Sequence, residues 1–313
     1  MLAHDPVLAI GARFVVGIGT AMGFIGGLEY VRAISGSPVV QGMFGGVGVS
    51  AGAVALAVVP QIDRLVAWRA PFLTASLVAL AGIVLLDRAP DVRARNAPHR
   101  GVIATPIARL LIDRRLQQIS IVYAGSLGLS IAASNWIVSL LVREGGVSHT
   151  VAGPIASLSL LAGILTRPLG GWALQHDAVW MRRAVTVSIA GGVAGTLAVA
   201  AARPLPLVVA GSVLVGLCAG FPFAPALNAA VGARPDAPGA AVGFVNMCGA
   251  FTILAWVPLL GLTFSLPGGG RTGCVTVALV WGACVLAVPG AFATATPPPT
   301  TTTIADAHEA RPA

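Results

Sequence analysis

The sequence contains no lysine: all 19 of its cationic side chains are arginine, set against 11 acidic residues. Charge of either sign is scarce, 10% of 313 residues, where a soluble globular domain carries about 25%. So little charge cannot cover a water-facing surface, which excludes a soluble domain and leaves lipid as the main solvent. Aromatic residues make up only 6% and do not interleave with the arginines, so the net charge of +8 does not describe a nucleic-acid groove. Cysteine is rare too. Cys218, Cys248, Cys274 and Cys284 lie in or at the edge of apolar runs, no two at CxxC spacing and none beside a histidine. They therefore read as small hydrophobes rather than zinc ligands. No nucleotide-binding loop is present, so ATP does not drive the protein directly. The residues indicate no metal, cofactor or catalytic group.

What the sequence has in abundance is long apolar runs, with 56% hydrophobic residues and a mean hydropathy of +0.88. Nine segments, roughly 8–31, 39–60, 70–86, 119–142, 151–174, 184–202, 205–231, 240–265 and 272–293, approach or exceed the ~20 residues that cross about 30 Å of hydrocarbon. The runs are continuous rather than alternating every second residue, so they read as helices and not barrel strands. The fold class is all-α, a polytopic membrane helix bundle of about nine spans. Met1 to Val7 lacks the basic region of a cleavable signal. One long polar connection, 87–118, carries Arg88, Arg93, Arg95, Arg100, Arg109, Arg114 and Arg115. It divides residues 1–86, with three spans, from 119–293, with six. The tail 294–313, rich in proline and threonine, reads as disordered.

Basic residues gather on the cytoplasmic side of membranes. With the long loop inside, the alternation of spans puts 13 arginines inside (Arg32, the seven of the loop, Arg167, Arg182, Arg183, Arg234 and Arg311) and five outside (Arg64, Arg69, Arg143, Arg203 and Arg271), with Arg13 in a span. The expected topology is N-terminus outside and C-terminus cytoplasmic, in the plasma (inner) membrane of a prokaryote.

The first span reads ARFVVGIGTAMGF, with Arg13 followed at four and six residues by Gly17 and Gly19. A glycine-rich span from Gly42, the stretch WRAPFL and a long basic loop follow. GILTRPLGGWALQHD, then GLCAGFPFAPALNAAVG and PDAPGAAVGFVN, come later in the chain. In this order the motifs resemble the major facilitator superfamily entered at its fourth helix, a bundle whose N-terminal lobe is incomplete. Gly171 and the basic pair Arg182 and Arg183 resemble the family's cytoplasmic loop after its eighth helix, although Gln175 and His176 stand where that loop has an Asp-Arg pair. The resemblance implies secondary transport of a small solute by alternating access, with a proton or ion as a possible coupled partner. It also implies a substrate or coupling role for Arg13. The Gly-Pro signature of drug antiporters is missing from GVGVSAGAVAL, which argues against drug export.

Several polar or helix-breaking residues at membrane depth are candidate substrate or coupling residues. Arg13 sits about 8 Å inside its span at 1.5 Å per residue, where arginine is costly and usually faces a cavity or a partner. Pro222 and Pro225 should break the seventh span near its middle, as at transporter sites. Asn135 with Trp136, Asn228 and Asn246 need partners in lipid, in a binding site or on a neighbouring helix. Glu29 reads as an i,i+3 ion pair with Arg32. Gly19, Gly23 and Gly27, then Gly42/Gly46 and Gly48/Gly52, line helix faces suited to close packing. Gly48 to Gly52 also matches G-x-S-x-G, but no histidine lies deep enough to serve Ser50 as a base. The missing first three helices suggest an upstream extension of about three spans or little transport by this chain alone. The other expectation is a non-transporting remnant or membrane assembly partner.

Overall fold

The computed structural model describes residues 6–65, 69–88 and 107–293; most of the basic connection and the tail from Thr294 lie outside the described residues. All regular structure among the described residues is helical. In chain order it comprises α1 (Pro6–Ser35), α2 (Pro38–Leu65), α3 (Ala70–Asp87), α4 (Ile107–Leu111), α5 (Arg114–Tyr123), a π-helical turn (Ala124–Leu129) and α6 (Ser130–Arg143). Then come α7 (His149–Ala173), α8 (Ala178–Ala200), α9 (Leu205–Gly220), α10 (Phe223–Ala233), α11 (Pro238–Thr263) and α12 (Gly269–Ala283). A 3-10 turn (Cys284–Ala287) and α13 (Val288–Ala291) complete the set. Together they make nine candidate membrane spans among the described residues, the fourth extending from Arg114 to Arg143 and the seventh from Leu205 to Ala233. The nine apolar runs and the all-α class are thus observed.

Local chemistry sets the helix ends. Proline opens α2 and α11 and lies in the first turn of α3 and α9, where its missing N–H costs no helical bond. Asp113 and Asp177 cap α5 and α8, their carboxylates accepting from the backbone N–H groups of Leu116 at 3.0 Å and Trp180 at 2.7 Å. These caps extend two helices beyond their apolar runs. Arg114 and Arg115 open α5, and Arg182 and Arg183 lie in α8 instead of a loop; the connection there is only 174–177. The seventh span breaks where the prolines require: α9 stops at Gly220, and Pro222 caps α10.

The core lies in the six later spans, centred on Leu116, Tyr123, Leu129, Phe223 and Trp281. Only α2 of the first three spans is seated firmly, along α7. Glycine makes that approach possible. A Cβ on Gly42 would collide with the carbonyl of Arg167 and Cα of Pro168, one on Gly171 with the carbonyl of Pro38, and one on Gly46 would lie 3.3 Å from the Ile164 carbonyl. Backbones this close gain dispersion contacts along their whole length, the main attraction between helices in lipid. Gly19, Gly23 and Gly48, by contrast, have open space around them. No residue of α3 is buried, and the first half of α1 is exposed.

Candidate functional site

Arg167 lies in α7, six residues before the helix ends at Ala173, about 9 Å along its axis. Its side chain is 4% exposed. The arginine count of the expected topology must therefore be corrected: Arg167 is inside the bundle, leaving 12 against five on the two sides, with Arg13 and Arg167 in spans. Nη1 donates to the carbonyl of Gly45 on α2 at 2.7 Å, and the guanidinium carbon sits 4.2 Å from the ring centroid of Phe223 on α10, a cation–π contact. Nε is buried with no hydrogen-bond partner, and no carboxylate among the described residues pairs with the group.

Five helices deliver the surroundings of this cation. Phe24 of α1, Phe44 of α2 and Tyr123 of α5 approach Phe223 or one another at centroid distances of 6.0 to 6.2 Å. Gly45 is the small residue that lets this happen, because a Cβ there would overlap the Phe223 ring. A narrow void is lined by Tyr123, Ser126, Leu127, Arg167, Ala219 and Phe223. The π-helical turn begins at the residue after Tyr123 and contributes Ser126 and Leu127; such turns inside α-helices occur often at functional sites. The hydroxyl of Tyr123 donates to Oδ1 of Asn246 on α11 at 3.1 Å. Nearer the start of α2, the amide of Asn228 donates to Gln41 Oε1 at 3.1 Å and to the Ala224 carbonyl at 2.9 Å. Gln41 is 2% exposed. These bonds join α10 to α2 and α5 to α11 around one buried charge.

The residues singled out from the sequence divide around this centre. Asn246 binds Tyr123, and Pro222 and Pro225 shape the helix start that presents Phe223 and Asn228. Trp136 sits apart, donating from Nε1 to the Val257 carbonyl at 2.7 Å and packing on Phe264. Asn135 is exposed and bonds to Ile131 of its own helix. Arg13 is exposed on α1 and pairs with no described residue. Gly171 belongs to the α2–α7 seam, while Arg182 and Arg183 stand at the start of α8, away from the centre. Glu29 and Arg32 form the i,i+3 ion pair at 2.6 Å, and Ser50 donates to the Val47 carbonyl of its own helix. The sequence reading missed Arg167, Tyr123, Gln41 and Phe223. Arg167 carried a usable signal, since the depth argument applied to Arg13 applies equally to an arginine followed by six more helical residues.

A lipid-embedded helix bundle that encloses a charged centre between a broken helix and a glycine seam has the architecture of a membrane transporter. The family model of the Major Facilitator Superfamily matches residues 1–257, and the chain belongs to that superfamily. It is also similar to the "Probable nitrate/nitrite transporter NarK2" of Mycobacterium tuberculosis, from strains CDC 1551 / Oshkosh and ATCC 25618 / H37Rv. Identity to each is 33% over 147 residues, 46% of this chain and 36% of the relative. The alignment thus spans about a third of the length of these curated relatives.

Proposed function

We propose that the chain is a secondary transporter, or the greater part of one, that carries a small inorganic oxyanion of the nitrate/nitrite kind by alternating access, and that Arg167 binds the anion. The observation that carries this reading is the buried guanidinium with no carboxylate partner among the described residues. Holding an unpaired charge away from water costs several kcal/mol, and a bound anion offsets that cost. The planar fork of donors, with Nε unused, suits a planar oxyanion. Phe223 and Tyr123 wall it from lipid. The similarity to nitrate/nitrite transporters supports the same chemistry.

In this reading residues 1–86 form part of one lobe, 87–118 a cytoplasmic linker and 119–293 the second lobe. The N-terminus lies outside and the C-terminus in the cytoplasm, supported by the 12-to-5 division of arginines. Asn246 and Asn228 hold the helices that frame the anion. Arg13, exposed on α1, keeps a coupling role apart from that centre. The test is uptake of isotopically labelled nitrate and nitrite by proteoliposomes containing the full chain, alongside a neutral solute panel. Saturable anion uptake that Arg167→Ala abolishes, with the protein still in the membrane, is expected. Uptake of a neutral solute alone, or anion uptake untouched by Arg167→Ala, would sink the reading.

A further inference from the structure

The turn joining α7 to α8 carries an aromatic stack at the boundary of two spans. His176 lies 4.5 Å from Trp180, stacked at 25°, and 4.6 Å from Trp172, edge-on at 62°. The two indoles meet edge-to-face at 6.4 Å. A stack that served only as core filling would be buried, yet Trp172 is 47% exposed and Trp180 38%. Each tryptophan ends an exposed apolar stripe. On α7 the stripe is Leu165, Leu169 and Trp172; on α8 it is Trp180 and Val187, with Arg183 between them at i+3. Leu165 at 68% and Val187 at 70% exposure mark these faces as lipid-facing in a membrane protein. The tryptophans therefore sit where hydrocarbon gives way to head groups, the depth that indole rings favour.

Arg182 is partly exposed and Arg183 exposed. Neither forms a hydrogen bond or ion pair with a described residue, so their donors are available. The carboxylate at this turn is Asp177, and one of its oxygens is engaged by the Trp180 backbone N–H at 2.7 Å. Arg183, at i+3 from Trp180 on one face of α8, presents positive charge, hydrogen-bond donors and an apolar floor in one place, with Arg182 about 100° further round the helix.

The geometry points to a binding site for an anionic glycerophospholipid at the α7–α8 turn. Its phosphate is held by Arg183, with Arg182 reaching it from the flank of α8, its glycerol and ester region lies against Trp172, His176 and Trp180, and its acyl chains run along Leu165, Leu169 and Val187. The partner is a lipid of the leaflet on this side, not the transported solute, and the site stands whether or not Arg167 binds an anion.

Native mass spectrometry of the full chain in detergent, titrated with dioleoylphosphatidylglycerol against dioleoylphosphatidylcholine, tests this. Wild-type protein should retain phosphatidylglycerol preferentially. A basic residue near an anionic head group contributes about 1 kcal/mol, or roughly five-fold, so Arg182→Gln/Arg183→Gln should lower the preference about 25-fold at most and at least five-fold. Trp172→Leu/Trp180→Leu should weaken retention of both lipids and leave their ratio nearly unchanged. Arg271→Gln, at the far end of α11–α12, should change nothing. Thermal unfolding in the same detergent verifies that each variant is folded, and Arg183→Gln alone serves if the double variant is not. A preference equal to wild type in the folded arginine variants, or an equal loss in Arg271→Gln, would mean that the lipid is held by the general field of the protein and would overturn the site.

Discussion

Replacing Arg167 by alanine separates its cost to the empty protein from its value to the ligand. In the structure the guanidinium gives one hydrogen bond to Gly45 at 2.7 Å and covers Phe223, while Nε is buried and unused. Loss of a hydrogen bond to a charged group is worth about 1.5–3 kcal/mol, but removing a desolvated and unpaired charge returns several kcal/mol. The second effect is the larger, so empty Arg167→Ala should melt at or above the wild-type temperature in detergent. The ligand-bound comparison runs the other way. An oxyanion bridging Nε and a second donor gains two charge-assisted bonds, about 3–6 kcal/mol together, so the variant should bind nitrate at least ~100-fold more weakly. Arg167→Lys keeps the charge but loses the fork and should fall between. Differential scanning fluorimetry with and without nitrate, paired with titration calorimetry, reads both quantities. At 100 times the dissociation constant the wild type should gain about 2.7 kcal/mol from ligand. A nitrate-dependent rise in melting temperature that persists in Arg167→Ala would refute the reasoning, and so would an empty variant several degrees less stable than wild type.

Three further outcomes follow from the packing and the topology. Gly42→Ala places a methyl group against the Arg167 carbonyl and Pro168 and should cost about 1–3 kcal/mol in thermal or denaturant unfolding; Gly19→Ala, with open space around it, should be neutral or stabilising by up to ~1 kcal/mol. Tyr123→Phe leaves Oδ1 of Asn246 without its donor and should destabilise by about 1–3 kcal/mol, with Tyr123→Phe/Asn246→Leu recovering part of the loss in the same assay. Reporter fusions after Arg115 and Arg311 should report cytoplasm and those after Arg143 and Arg271 the exterior; a cytoplasmic signal at Arg143 would reverse the orientation.

The spans were legible because each property that defines them is local. Apolar run length, the prolines at 222 and 225, and the ion pair of Glu29 with Arg32 all act within a few residues of chain. Helix starts were placed five or six residues late at α5 and α8, since Asp113 and Asp177 carry the helix into basic sequence that reads as loop. The buried centre was less legible for a different reason. Asn228 and Asn246 stand out as polar residues in apolar runs, but their partners, Gln41 and Tyr123, are 187 and 123 residues away. Arg167 was assigned to a surface because positive charge near a span end usually belongs there. Only the seating of α2 and α10 against α7 shows that the Gly45 carbonyl and the Phe223 ring are already in place. Arg13 stood out by its motif; the described helices leave it exposed, about thirty positions before Phe44 and Gly45 bring α2 to the centre.

The glycine seam between α2 and α7 has a mechanical consequence. Interlocked side chains must climb over one another when helices slide, whereas a contact made by backbone and hydrogen atoms presents a nearly smooth track at Gly42, Gly46 and Gly171. Shear along such a track is one of the ways in which packed elements change state. Each residue of axial travel moves the Gly45 carbonyl about 1.5 Å relative to α7, so roughly two residues of travel take an acceptor at 2.7 Å out of hydrogen-bond range. The hydrogen-bond partner of the buried cation is thus tied to the relative position of two helices, and a displacement shorter than one helical turn is enough to release it.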